Sequence, residues 1–306
     1  GDDHVYGQKA DADNPLGAAY TSTLPLVVFG ETGKDEIYGG SGDDILFGDY
    51  GRVDYVDDDG FIETRLGHTW EQNPVNPTVS SATGSTLTDS TASFPTTYGG
   101  LAGLSVQAIA PDGTVQYRTI TANTATEITV NHAWDVIPDT HYFYRVSMLP
   151  EDQTDGVVRG PRVIWSIDET IGAADKIYGN GGNDTIVGGA AADTIHGGDG
   201  NDLIAGDNAR FDYVPVSGDD GLTALALAQT TSPAVGDIDT IYGDADNDTI
   251  FGGQAGDKMY AGEGNNLVIG DEGRISYNLD SNPADIDLIE SLSMTAEGDA
   301  DRKSVV

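Results

Sequence analysis

The sequence contains no cysteine, so neither a disulfide framework nor a thiolate zinc site is available to it. Positive charge is scarce: 14 lysines and arginines stand against 51 aspartates and glutamates, a formal charge of −37. A surplus of this size repels itself in a compact chain and excludes nucleic acid and anionic membranes as partners, while cations are attracted to it. The same surplus would also serve to keep a secreted or halophilic protein in solution. No apolar run reaches the roughly 18 residues needed to span a bilayer, which predicts no membrane insertion. The chain has no initiating methionine and no signal-like segment, and it opens on Gly1-Asp2-Asp3, inside a repeat. It is therefore read as a piece of a longer protein or a processed form.

Glycine is plentiful, at 41 of 306 residues. That is too many for a packed α/β enzyme and suits repeated tight turns. The glycines fall in a pattern. Asp175, Asp184, Asp193 and Asp202 follow one another at intervals of nine residues, and each precedes an apolar triplet such as Thr185-Ile186-Val187. The phase returns at Asp239, Asp248, Asp257 and Asn266, and it is also present at Asp35 and Asp44. Internal periodicity of this kind marks a stacked, repetitive architecture.

The segments Gly39-Gly40-Ser41-Gly42-Asp43-Asp44-Ile45-Leu46-Phe47 and Gly197 to Ala205 resemble the G-G-x-G-x-D-x-U-x nonapeptide of RTX (repeat-in-toxin, haemolysin-type) calcium-binding proteins. The resemblance covers about a third of the chain. It implies an all-β fold, a parallel β-roll in several short arrays, in which six residues make a calcium-binding turn and three a short strand. Two nonapeptides complete one coil. Chemistry agrees, because Ca²⁺ takes 6–8 oxygens and glycine lets carbonyls turn inward. Ile177, Ile186, Ile195 and Ile204 would then face the core. Partners lie two repeats apart, so Asp175 is expected over Asp193, Asp184 over Asp202, Asp239 over Asp257 and Asp248 over Asn266, the neutral Asn making the weakest site. In the first array Asp35 and Asp44 find only Leu26 and Val53 at that spacing, neither of them a ligand. The metal-site candidates are these ten residues, with several Ca²⁺ ions as cofactor. A metal-free, acidic solenoid would instead stack like charges about 4.8 Å apart, which disfavours their ionisation.

Each array ends in a variant turn: Gly48-Asp49-Tyr50-Gly51-Arg52-Val53, Gly206 to Phe211, and Gly270 to Ile275. The sixth residue has become Val, Phe or Ile, a core residue in place of a ligand. Arg52, Arg210 and Arg274 recur there and are expected to pair with nearby turn carboxylates. Connectors follow, and residues 222–229 and 287–294 show the alternation of a strand. The second of these leads to a fourth start at Gly298-Asp299-Ala300-Asp301.

The first connector is split by a Thr- and Ser-rich segment without the nonapeptide. Residues 104–110, 114–121, 126–130 and 140–148 read as strands joined by turns at Pro111-Asp112-Gly113 and Ala122-Asn123, an inserted small antiparallel β domain. The expected organisation is residues 1–66 as an N-terminal roll segment, 67–162 as the insert, and 163–214 as a second array. Residues 215–306 hold a connector, the third array and a C-terminal connector.

Catalytic motifs are missing. None of His4, His68, His132, His141 and His196 sits in H-E-x-x-H, and there is no G-x-S-x-G elbow or Walker loop. His196 is expected on the surface. His68, His132 and His141 with Glu71 or Asp139 could form a site only by tertiary accident, and Trp70, Trp134, Trp165, Tyr142 and Tyr144 could supply a glycan platform or a core. The segment is therefore expected to have no catalytic role. It reads as a calcium-dependent structural part of a large extracellular or cell-surface protein, of the adhesin, matrix-fibre or surface-layer type, with calcium and neighbouring copies of itself as partners. The resemblance implies type I secretion. Two other readings stay open: the secretion and folding module of an exoenzyme whose catalytic domain lies elsewhere, and a glycan-binding module acting through the insert.

Overall fold

A computed structural model describes residues 1–9, 20–56, 62–67, 77–97, 99–147, 160–216 and 222–292. There is no helix among them. The chain divides into two compact units: Gly1–Arg52 with Val163–Val214 and Ala224–Val306, and Val53–Arg162 with Pro215–Thr223. The expected fourth start at Gly298–Asp301, together with His68, Trp70 and Glu71, lies outside the described residues.

The first unit is a parallel β-roll with two sheets of six short strands. One sheet runs in the order His4–Tyr6, Glu36–Tyr38, Lys176–Gly181, Thr194–Asp199, Thr240–Ala245, Lys258–Tyr260. The other runs Val27–Phe29, Ile45–Phe47, Thr185–Val187, Leu203–Ala205, Thr249–Phe251, Leu267–Ile269. Each triplet centres on an apolar residue that points inward, since alternate side chains of a strand face opposite ways. Ile37, Leu46, Ile177, Ile186, Ile195, Ile204, Ile241 and Ile250 make one core, and all are fully buried. Each such side chain gains about 1.5–3 kcal/mol over the exposed state. The four isoleucines expected inside are there.

The three arrays of the sequence stack into one roll. Ile177 pairs with Ile37 on one side and Ile195 on the other, although Ile37 precedes the insert. Ile195 pairs in turn with Ile241 across the second connector. Residues outside the core form a ladder of rings: Tyr6, Tyr38, Tyr178, His196, Tyr242 and Tyr260 stack with centroids 4.3–5.3 Å apart. His196 is thus outward-facing as expected, held between two tyrosines, with Nδ1 3.1 Å from Asp244.

A third sheet is antiparallel and contains, in order, Leu288–Ser291, Gly273–Ser276, Thr223–Thr230, Ala209–Pro215 and Val163–Ser166. Both connector segments expected to be strands contain one here, and residues 293 and 294 of the second lie outside the described residues. Val53, Phe211 and Ile275, at the altered sixth position, are fully buried, which explains the exchange of ligand for apolar residue. Two of the arginines, Arg210 and Arg274, are paired otherwise than expected. Arg210 bonds Asp212 and Arg274 bonds Glu290, carboxylates of strands and not of turns, because an extended arginine in a sheet lies beside strand neighbours. The guanidiniums of Arg52 and Arg210 both lie over the Trp165 ring, at 5.0 and 4.4 Å.

In the second unit, six antiparallel strands follow the order Phe143–Ser147, Ser105–Ile109, Val115–Asn123, Glu127–Val130, Thr86–Thr88, Ser81–Ala82. Its core includes Leu87, Leu101, Val106, Ile120, Ile128, Trp134 and Tyr144. The expected turn at Ala122-Asn123 is instead the end of a strand. Asn123 is fixed there by Leu101 N–H, which it accepts, and by Pro95 O, to which it donates, so the reversal moves to Thr124, whose hydroxyl accepts from Glu127 N–H. Trp134 and Tyr144 are core residues, which leaves them unavailable as a platform. His132 and His141 are exposed, and His141 meets Asp139.

Candidate metal sites in the turns of the roll

The turns are set by the interval of nine residues. Successive coils add an aspartate to each of two columns, Leu26 and Asn266 standing at the two ends of the second. Each aspartate from Asp35 and Asp44 onward accepts a hydrogen bond from the main chain of the coil before it. In the first column Asp3, Asp35, Asp175 and Asp193 donate their N–H groups to Oδ1 of Asp35, Asp175, Asp193 and Asp239, at 2.6–2.7 Å. Asp239 donates to Asp257 at 3.0 Å. In the second, Leu26, Asp44, Asp184, Asp202 and Asp248 donate to Asp44, Asp184, Asp202, Asp248 and Asn266, at 2.7–3.0 Å.

All four expected pairings are present. The first array is corrected: Asp35 and Asp44 do have carboxylate partners, Asp175 and Asp184, supplied from 140 residues further on. They do not stand at the eighteen-residue spacing because residues 53–162 come between. Asp3 extends the first column and was legible, since Gly1-Asp2-Asp3-His4-Val5-Tyr6 has the same phase as Gly42-Asp43-Asp44-Ile45-Leu46-Phe47.

The second oxygen of these carboxylates is the telling atom. Oδ2 of Asp35, Asp175, Asp184, Asp193, Asp202, Asp239, Asp248 and Asp257 is buried without a hydrogen-bond partner. Leaving a buried polar atom unpaired costs about 1–3 kcal/mol, more if it is charged. Each such oxygen faces a glycine and a carbonyl of the following coil. A Cβ built on Gly48 would lie 2.5 Å from Asp175 Oδ2 and 2.6 Å from Gly188 O. One on Gly252 would touch Gly270 O and stand 2.6 Å from Asp257 Oδ2. The space exists only because these residues lack a side chain, and it is lined with oxygen.

Burial shifts the carboxyls in the same sense. It pushes Asp175 and Asp184 up to about 7, Asp202 and Asp239 to about 8, and Asp248 and Asp257 to about 6. Asp193 is raised well above its ordinary value by burial and then by Asp239. Asp35 and Asp44 are raised too, chiefly by burial. Without a cation these sites hold protons or strained charge.

The donor set therefore fits calcium, a hard ion content with carbonyls and carboxylates. Among the described residues no three His, Asp or Glu side chains gather at one point, so a cation draws on main-chain carbonyls as well as aspartates. At Asn266 the fit is poorer, because its amide nitrogen donates to Ala261 O and Glu263 O, where an aspartate would set another oxygen.

Two carboxylates in the variant turns escaped the sequence reading, Asp49 and Asp207, which are 4% and 2% exposed. Burial raises them to about 8 and about 9. They stand at the second residue of the variant turn, where Asp271 recurs in the third, and so fall outside the nine-residue phase of the other aspartates, although the alignment of the three turns could have found them.

The family model of the RTX calcium-binding nonapeptide repeat (four copies) matches residues 27–52, 172–209 and 234–268. No curated protein matches the chain. These segments are RTX repeats, a calcium-binding structural module of secreted proteins with no catalytic role of its own.

Proposed function

We propose that the chain is a calcium-folded structural segment of a large extracellular or cell-surface protein, of the adhesin, matrix-fibre or surface-layer kind. The ten residues Asp35, Asp44, Asp175, Asp184, Asp193, Asp202, Asp239, Asp248, Asp257 and Asn266 hold the ions, with Asp3 at the end of one column. In the sequence, residues 67–162 are a separate insert between repeats of the roll. The observation that carries this reading is the row of buried carboxylate oxygens with no donor to meet them.

The ion supplies positive charge where the folded chain gathers carboxylates, so binding free energy becomes folding free energy. The residues of the chain do the rest: glycines clear the space, Oδ1 atoms tie successive coils, and isoleucines close the core. In the low calcium of a cytosol the acidic repeats stay unfolded, a state suited to export. In the millimolar calcium outside they order.

The test is far-ultraviolet circular dichroism of the full chain during a calcium titration from chelator upward. A gain of β signal with added calcium is the expected result. An unchanged spectrum across the titration would remove the reading.

A further inference from the structure

At Gly206-Asp207 the first connector-bearing turn after the second array gives way to residues 208–235, and the chain rejoins the roll at Gly236. The turn keeps the usual cradle. A Cβ on Gly206 would abut Asp239 Oδ2 and stand 2.6 Å from Gly252 O. The next residue, Asp207, folds into the gap between the departing and returning chain. Its carboxylate lies against the main chain of Gly236 on one side and of Gly253 on the other, and Oδ2 accepts the Gln254 N–H.

The other oxygen has no such use. Asp207 is 2% exposed, and its Oδ1 is buried with no donor in hydrogen-bond geometry. The Asp237 N–H acts on the carboxylate from nearby without meeting that atom. The charges that act on it are those of Asp239 and Asp257, both negative. Asp239 is 0% exposed and has its own unpartnered Oδ2.

The comparable residue in the earlier variant turn is saturated. Asp49 accepts Ala173 N–H at Oδ1, 3.1 Å, and Ala190 N–H at Oδ2, 2.7 Å. Both aspartates staple a returning connector to the next turn, and Asp207 alone retains a free oxygen.

We propose that Asp207, outside the nonapeptide motif, is an additional calcium ligand that joins Asp239 in holding the ion where the connector rejoins the roll. The proposal rests on the calcium reading above. Its consequence is that closure of residues 208–235 is coupled to metal: one carboxylate comes from the chain leaving the roll and one from the chain returning, so the ion helps offset the entropy of closing that loop.

The test counts calcium retained by the full chain at a free calcium just sufficient to saturate the wild type, beside the circular dichroism signal. Asp207→Asn keeps an oxygen for Gln254 and removes the charge. It should hold one ion fewer, restored by about tenfold more calcium, the scale of losing one supporting ligand. Asp49→Asn should keep the wild-type count. A wild-type count and calcium midpoint in Asp207→Asn overturns this proposal alone, whereas a wild type that binds no calcium overturns the reading beneath it. Should Asp207→Asn fail to fold, anomalous scattering from calcium-loaded crystals of the wild type decides. A peak about 2.3–2.6 Å from Asp207 Oδ1 supports the assignment, and its absence refutes it.

Discussion

Asp35 donates its main-chain N–H to Oδ1 of Asp175 at 2.7 Å, across 140 residues of sequence. This bond and its counterpart from Asp44 to Asp184 splice the first array onto the second. The aspartate columns are therefore continuous past residues 53–162, and damage at the splice is expected to be felt by coils on both sides.

Asp175→Ala removes the acceptor for Asp35 N–H and one oxygen of the cradle at Gly48. The expected shift of the calcium midpoint corresponds to about 1–3 kcal/mol, the cost of a buried group left unpaired. Asp112→Ala, at an exposed turn of the insert, serves as control. Circular dichroism titrations of both variants check this, and equal shifts would mean that the coils are paired in a different register.

Gly188→Ala would put a Cβ against Gly206 O and 2.5 Å from Asp193 Oδ2, inside the space a cation needs. Gly84→Ala meets nothing within 4 Å. The first should lose calcium at that turn and raise the midpoint for folding, and the second should stay within about 0.5 kcal/mol of the wild type, as surface changes do. Calcium counting with thermal melts compares them.

At the end of the second column, Asn266→Asp replaces an amide nitrogen that donates to Ala261 O and Glu263 O with a second carboxylate oxygen. In chelator this variant should be less stable than the wild type, through added repulsion. In saturating calcium it should bind at least as many ions, with a lower midpoint. Isothermal titration would show the change, and a midpoint that rises would contradict it.

The pH response follows from carboxyls whose folded pKa lies above the unfolded value of about 3.9. Asp248 and Asp257 reach about 6, Asp175 and Asp184 about 7, and Asp202 and Asp239 about 8. The calcium-free roll therefore binds more protons than the unfolded chain through this window. Its stability is fully present below about pH 4 and is lost as pH rises through the folded values. In chelator the β signal should fall between about pH 5 and 8. Calcium affinity should rise over the same range, since ligands must be deprotonated. A chelator-treated chain that gains β signal with rising pH would refute this.

In the insert, Tyr144 donates its hydroxyl to Asp89 Oδ2 at 2.9 Å within the buried core. Tyr144→Phe should cost about 1–3 kcal/mol in the insert and leave the calcium midpoint of the roll unchanged. Thermal melts of the full chain with and without calcium separate the two effects.

The repeat unit was legible because it is local. Nine-residue spacing, glycine at the bends and one apolar centre per triplet sufficed to place Ile177, Ile186, Ile195 and Ile204 in the core and to pair Asp175 with Asp193. The altered sixth position likewise announced Val53, Phe211 and Ile275 as core residues, for hydrophobicity alone carries that message.

The partners of Asp35 and Asp44, the free oxygen of Asp207 and the strand-side pairing of Arg210 and Arg274 were decided only by the tertiary structure. Sequence fixes what each coil needs, an oxygen, a bend and a buried side chain, since those are properties of residues and their neighbours. Which coil answers that need depends on where a connector of any length brings the chain back, and loop closure costs too little per added residue to leave a mark in the sequence.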